Sequence, residues 1–283
     1  MKPIAMLALD LDGTLAIDNH QVMPKTRARL EAMHEDGVEV VIATGRRYRT
    51  TRFVIDNLGF DVYAVCNGGA LVKDKDGTTL AETNFDAVHT QAIVDAARSA
   101  GVAIFGQRDA HSRDGADFVI DDGVPWSEAI QRYYTANEAW AARGDLDRHA
   151  SEYLVKGAFG EEELLHRFAA QVARDLGDDF STLVVPHHEY GCHYCEVTLT
   201  HVDKWHGLAT LLETFGITAE QICTAGDQLN DIPMLEPAGH SFAMGNGNPV
   251  LSAHAKATCG AHDAEGLVDV VDYIEAFNAR LGR

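Results

Sequence analysis

The sequence predicts an α/β protein: a doubly wound, mostly parallel sheet in a Rossmann-like core, with an inserted α/β cap. Three observations carry this. Short apolar runs at 4–9, 38–43, 62–66 and 222–225 alternate with helical stretches, the pattern of strands buried on both faces. Each of these runs ends in a polar or glycine-containing turn. Between about residues 84 and 189 the alternation changes character, and afterwards it resumes. The expected division is therefore a core of residues 1–83 and 190–283 and an insertion of residues 84–189.

The first run, Ile4 to Leu9, has no polar residue and stops at Asp10. A helix is expected over 25–36, started beside Pro24 and stopped by Gly37. The second run leads into Thr44-Gly45-Arg46 and the third into Asn67-Gly68-Gly69. Asp76-Gly77 between 70–72 and 79–81 predicts a hairpin. In the insertion, helices are expected over 87–100, 126–142 and 161–176, and strands over 102–105, 118–120, 153–159 and 181–185. Leu164, Phe168 and Val172 recur every four residues, a core-facing stripe. The core pattern returns with a strand over 194–199, Lys204, a helix ended by Gly216, the run 222–225, short strands near 242–244 and 257–259, and a last helix over 267–274.

At 283 residues the chain can bury a full core. Its net charge of −20 opposes nucleic-acid binding, because a phosphate backbone repels such a surface. An anionic substrate must therefore be held by a local group of cations. Five scattered cysteines suit reduced thiols. No run approaches the ~20 apolar residues of a membrane span, and Asp10 and Asp12 interrupt the first apolar stretch before it resembles a signal peptide. A cytoplasmic protein without membrane association is expected.

Chemistry collects at the strand ends. Asp10 and Asp12 follow one strand, Thr44 a second, and Asp227, Asn230 and Asp231 another, with Lys204 placed just beyond a further strand. In an open parallel sheet the carboxyl ends of the strands share one edge, so these groups can converge. Their carboxylate oxygens suit a hard divalent cation such as Mg²⁺. A carboxylate can attack phosphorus, and the surrounding cations and donors matter most in such a transfer. The Thr44 hydroxyl and the Lys204 ammonium are fitted to that role, and an acid two residues from the nucleophile could protonate a leaving oxygen.

Asp10-Leu-Asp-Gly-Thr-Leu15, Ala43-Thr-Gly-Arg46, Lys204 and Gly226-Asp-Gln-Leu-Asn-Asp-Ile-Pro-Met234 resemble, in order, the four motifs of the haloacid dehalogenase-like superfamily of phosphohydrolases. Cys66-Asn-Gly-Gly69, Tyr194-Cys-Glu-Val-Thr198 and Ala243-Met-Gly-Asn246 resemble its Cof-type branch, whose large α/β cap lies between the second and third motifs. The resemblance implies a Mg²⁺-dependent phosphatase acting on a small phosphorylated metabolite, a sugar phosphate by default, through an aspartyl phosphate. Asp10 would be the nucleophile and Asp12 the general acid and later base. Mg²⁺ would sit on Asp10, the Asp12 carbonyl and Asp227. Thr44, Gly45, Arg46, Lys204 and Asn230 would bind the phosphoryl group, and Asp231 would orient Lys204 or a water on the metal. A phosphomutase of the same superfamily, which transfers the group to a sugar hydroxyl, shares these motifs. The cap would choose the substrate. Oligomeric state is left open.

Two departures concern loop shape. Trp205 and His206 separate Lys204 from Gly207, and Gly247-Asn-Pro249 replaces an alanine-rich segment after Asn246. Elsewhere, His187, His188, Cys192, His193 and Cys195 include the spacing of half a zinc site, but no second pair lies close by. These histidines, with Arg108, His111, Arg113 and Lys156, are alternatively substrate contacts. Tyr133, Tyr134 and Trp140 are expected to pack a cap helix.

Overall fold

A computed structural model describes residues 2–17, 20–110, 115–188 and 190–282. The chain forms two compact units, Met1–Ala81 with Asp203–Arg283, and Glu82–Val202.

The core unit is built on an eight-stranded sheet. In chain order its elements begin with β1 (Met6–Leu9), the hairpin β2 (Ala16–Ile17) and β3 (Gln21–Val22), α1 (Pro24–Glu35) and β4 (Glu39–Ala43). Then come α2 (Tyr48–Leu58), β5 (Tyr63–Cys66), β6 (Leu71–Lys73) and β7 (Thr79–Glu82). β1 pairs in parallel with β4 on one side and with a late strand, Ile222–Gly226, on the other. The strand order reverses at β1, and the crevice beyond such a reversal is where open α/β sheets bind ligands.

Every residue of β1 is buried because both faces are covered. Leu7 and Leu9 pack with Leu30 and Met33 of α1 and with Val270 and Ile274 near the carboxyl terminus. Met6 and Ala8 pack on the opposite side with Val41, Val65, Leu208, Leu211 and Met234. Each such large side chain contributes about 1.5–3 kcal/mol on full burial, which holds the strand rigid where Asp10 leaves it. α2 is absent from the sequence-based expectation. Its buried face, Tyr48, Thr51, Val54 and Leu58, has helical spacing, but no side chain caps its start, so the start signal is what the sequence lacks.

The inserted unit contains α3 (Ala87–Ala100), β8 (Ile104–Gln107), β9 (Phe118–Asp121), α4 (Glu128–Ala136), β10 (Ala141–Gly144), β11 (Val155–Gly160), α5 (Glu162–Leu176), β12 (Phe180–His187) and β13 (Cys192–Leu199). Its sheet runs β10-β9-β8-β11-β13-β12, and only β9 and β10 are parallel. Ile93 and Val94 of α3 and Leu165, Phe168 and Val172 of α5 fill one face. Aromatic residues Phe105, Phe118, Tyr133, Phe159 and Tyr194 cluster on the other.

Three expectations need correction. The chain returns to the core at Asp203, not at residue 190. The reason is local pairing: β13 forms an antiparallel hairpin with β12 along its whole length and pairs with β11 on its other edge. Lys204 therefore follows no core strand; it opens α6 (Lys204–Phe215), capped by the Asp203 carboxylate on the His206 amide. The helix expected over 126–142 ends at Ala136, where the Asn137 side chain bonds back to the Tyr133 carbonyl, and residues 141–144 form β10.

The core is completed by β14 (Ile222–Gly226), α7 (Ile232–Leu235), β15 (His240–Ala243), β16 (Ala257–Thr258) and α8 (Leu267–Arg280). Two glycines let α6 dock. Gly69 has φ +114°, and a Cβ there would lie 1.8 Å from the Asp203 carbonyl oxygen; one on Gly207 would lie 2.4 Å from Val65. The turn after β5 and the spacing of Gly207 from Lys204 are thus what bring the lysine against the sheet.

Candidate active site

Asp10 leaves the end of β1 with only 6% of its surface exposed. Its Oδ1 accepts a hydrogen bond from Lys204 Nζ at 2.5 Å, and the same ammonium donates to Asp231 Oδ1 at 2.5 Å. Asp231 is fully buried and does a second job. Its Oδ2 accepts the backbone N–H groups of Asp227 and Gln228, both at 2.9 Å, which folds the loop after β14 back on itself.

That loop presents Asp227 toward Asp10. Thr14 donates its hydroxyl to Asp227 Oδ1 at 3.2 Å, and Gln228 donates its amide to Oδ2 at 3.0 Å. Gly13, at φ +84°, leaves the space that Asp227 occupies, since a Cβ there would lie 2.4 Å from its Oδ2. A Cβ on Gly247 would likewise lie 2.7 Å from the Asp227 carbonyl oxygen, and Asn248 caps the turn Pro249–Ala253. The departure from an alanine-rich segment therefore serves close packing. Asn246 ties the two loops, donating to the Gly13 carbonyl at 2.8 Å and accepting from the His262 amide at 2.9 Å.

Carboxylate oxygens of Asp10, Asp227 and Asp231 all lie within 4.8 Å of one another, the one such acidic, histidine or cysteine group of three found among the described residues. Three buried carboxylates face one ammonium. Burial raises the Asp10 pKa to about 8; Lys204 opposes the shift, while repulsion from Asp231 and Asp227 adds to it. Burial also disfavours the charged form of Lys204, but Asp10 and Asp231 outweigh it and raise its pKa. Unbalanced negative charge in an oxygen-lined, buried site is what a hard divalent cation compensates. The residues fit such an ion, and Asp10, Asp227 and Asp231 could hold it.

The remaining residues singled out from sequence occupy the rim. Thr44 is buried at the end of β4, and its hydroxyl accepts the Arg46 amide at 3.1 Å. Gly45 is exposed, as is Asn230 on the turn Leu229–Asp231. Asp12 sits half-exposed beyond Asp10, gripped by Arg46 through Nε to Oδ2 at 2.7 Å and through Nη2 to Oδ1. Thr14, Gln228 and His20, which bonds Arg46, went unassigned from sequence. Thr14 lies inside the first motif and Gln228 inside the last, so position was the available signal for both.

Among the described residues the insertion supplies no comparable centre. Cys195 is buried on the helix-covered side of its sheet, and His187 stacks on Tyr190 at 4.9 Å and edge-on to Phe159 at 5.1 Å. Arg108 bonds the Ala116 carbonyl and Glu152. Lys156 is fully buried with Nζ 3.3 Å from the centre of the Phe85 ring, and burial drives its pKa well below the ordinary value. These are packing roles. His111 and Arg113 lie outside the described residues. Among those residues no cysteine forms a disulfide, and no helix is long and apolar enough to cross a membrane.

The profile of the haloacid dehalogenase-like hydrolases matches residues 7–271. The chain belongs to this family. Phosphatase YwpJ of Bacillus subtilis is 24% identical over 292 residues, covering 95% of this chain and 99% of that protein. The 5-amino-6-(5-phospho-D-ribitylamino)uracil phosphatase YitU of the same organism is 26% identical over 268 residues, covering 93% and 94%. The fold matches the crystal structure of a haloacid dehalogenase-like hydrolase from Bacteroides thetaiotaomicron with a TM-score of 0.77, at 20% identity and over 95% of this chain and 98% of that one. The chain is accordingly a phosphatase, a phosphoric monoester hydrolase with an α/β core and an inserted cap.

Proposed function

We propose that this haloacid dehalogenase-like phosphatase hydrolyses a phosphorylated sugar or sugar alcohol through an aspartyl phosphate on Asp10, with Mg²⁺ as cofactor. The observation that carries the reading is the convergence of three buried carboxylates and Lys204 at the end of β1. The substrate class is supported by the ribityl phosphate in the name of one full-length relative, and substrate choice is assigned to the inserted unit.

A carboxylate oxygen of Asp10 attacks phosphorus as the ester P–O bond breaks, and Asp12 gives its proton to the departing oxygen. Asp12 then takes a proton from water, whose oxygen attacks the same phosphorus. The acyl phosphate P–O bond breaks, releasing inorganic phosphate and restoring Asp10. Thr44, the Gly45 amide, Lys204 and Asn230 hold the phosphoryl oxygens, while the Arg46 guanidinium, expected among them from sequence, is turned to Asp12 instead. Asp10, the Asp12 carbonyl and Asp227 would bind Mg²⁺, with Asp231 acting through Lys204. The bound ion supplies positive charge that offsets the carboxylates and the phosphoryl oxygens.

The direct test measures phosphate release from a panel of phosphorylated sugars, sugar alcohols and nucleotides, with Mg²⁺ and with a chelator. Chelator-sensitive release that is fastest from sugar or sugar-alcohol monophosphates is expected. Preference for nucleotides would remove the substrate class, and undiminished turnover in chelator would remove the metal.

A pH dependence follows from Asp10. Its pKa in the metal-free fold is raised from 3.8 to about 8, so below about pH 8 a cation must displace a proton. Mg²⁺ affinity should rise by up to ~10-fold per pH unit between about pH 6 and pH 8, then level off. By the same sign, Asp10 stabilises the metal-free fold most at low pH, and that contribution is lost as the pH rises toward about 8. Titration calorimetry in buffers of different ionisation enthalpy should show about one proton released per ion near pH 7. A pH-independent affinity without proton release would contradict it.

A further inference from the structure

We infer that His20 is a positioning residue for proton transfer: it fixes the Arg46 guanidinium, which in turn orients the Asp12 carboxyl. The inference rests on the reading of Asp12 as the proton donor given above. His20 lies in the hairpin that follows the first motif, where Ala16 pairs with Val22 and Ile17 with Gln21. Its backbone is left-handed, with φ +64°, and its Nδ1 lies 2.7 Å from Arg46 Nη1.

A guanidinium has donors only. His20 Nδ1 is therefore the acceptor in this contact. Arg46 is consequently held on two edges. Nε and Nη2 form the fork to Asp12, while Nη1 is taken by His20. The imidazole is backed by the Phe53 ring of α2, with centroids 6.0 Å apart and planes at 32°. The backbone of Arg46 is fastened separately through its amide to the Thr44 hydroxyl.

The second edge matters because the Asp12 side chain is 57% exposed. An exposed arginine–carboxylate pair by itself contributes too little to confine either side chain. An acid that must meet a leaving oxygen needs a confined geometry. The His20 contact removes the rotation of the guanidinium that the fork alone permits. Loss of this contact should therefore weaken proton donation and spare the binding of the phosphoryl group.

The test reads kcat/KM, which covers formation of the aspartyl phosphate, for phenyl phosphates ranging from p-nitrophenyl to p-methoxyphenyl. A good leaving group departs without a proton, and a poor one needs it. His20→Ala should lower kcat/KM for p-methoxyphenyl phosphate roughly 10-fold and for p-nitrophenyl phosphate less than roughly 2-fold. His20→Asn, which places a carbonyl oxygen near the Nδ1 position and tolerates the left-handed backbone, should restore both to within about 2-fold of the original enzyme. His20→Gly, at ease at this φ, removes the acceptor without backbone strain and should match His20→Ala.

A uniform loss across the series in the alanine and glycine variants, or an asparagine variant no better than alanine, overturns the inference. Asp12→Asn separates the two levels. If its loss grows with leaving-group basicity while that of His20→Ala does not, Asp12 keeps its role and His20 has none. If the Asp12→Asn loss is itself uniform, the reading of Asp12 as the acid fails and the role of His20 falls with it.

Discussion

Replacing Asp10 by Asn is expected to lower phosphate release by at least ~10⁴-fold, the scale on which removal of a covalent nucleophile acts, while leaving the fold intact. The two side chains have the same shape, and the Asn carbonyl can still accept from Lys204 Nζ. The substitution removes one of three carboxylates crowded within 4.8 Å, and burial already disfavours the ionised form of this one. The metal-free variant should therefore melt no lower than the original protein near pH 7 and above. Mg²⁺ affinity should fall, and the proton release on binding should disappear, because the group that loses the proton is gone. Activity by phosphate assay, circular dichroism against temperature, and calorimetry together check this. Turnover within about tenfold of the original enzyme would remove Asp10 as nucleophile.

The core was legible because its central strands β1, β4, β5 and β14 are almost wholly apolar. Ile4 to Leu9 could only be a strand covered on both faces, and the polar groups after such strands are placed on one edge by the parallel topology alone. The carboxylates of Asp10 and Asp227, 217 positions apart in sequence, meet for that reason. What failed were features set by pairing and not by pattern. β13 reads as a strand whichever sheet it joins, and only its pairing with β11 and β12 assigns it to the insertion. The boundary was therefore misplaced by thirteen residues, from 190 to 203. α2 went unseen because no capping side chain marks its start. His20 was invisible because a histidine in a short hairpin carries no periodic signal, and its partner Arg46 lies on a different element.

Lys204→Met carries the second large effect, and it acts on stability as well as turnover. Lys204 is 2% exposed and bonds both Asp10 and Asp231 at 2.5 Å. Methionine fills most of the same volume, so the change is chiefly loss of charge. Removing one partner of a buried ion pair leaves an uncompensated charge and costs about 3–5 kcal/mol. Here Asp231 loses its counter-ion while it holds the loop amides of Asp227 and Gln228, and Asp10, whose pKa is already raised to about 8, loses the ammonium it bonds. Denaturant unfolding at pH 7–8 should show a loss of that size, with turnover reduced ~10³-fold or more as phosphoryl stabilisation disappears. The destabilisation should shrink on adding Mg²⁺, since the ion replaces the missing positive charge. Combining Lys204→Met with Asp10→Asn should cost about 1–3 kcal/mol less than the sum of the two single changes, because each removes the same contact. Strict additivity in that cycle would mean that the lysine and the aspartate are not coupled through the contact at the end of β1. The ammonium would then have to be stabilised by Asp231 alone.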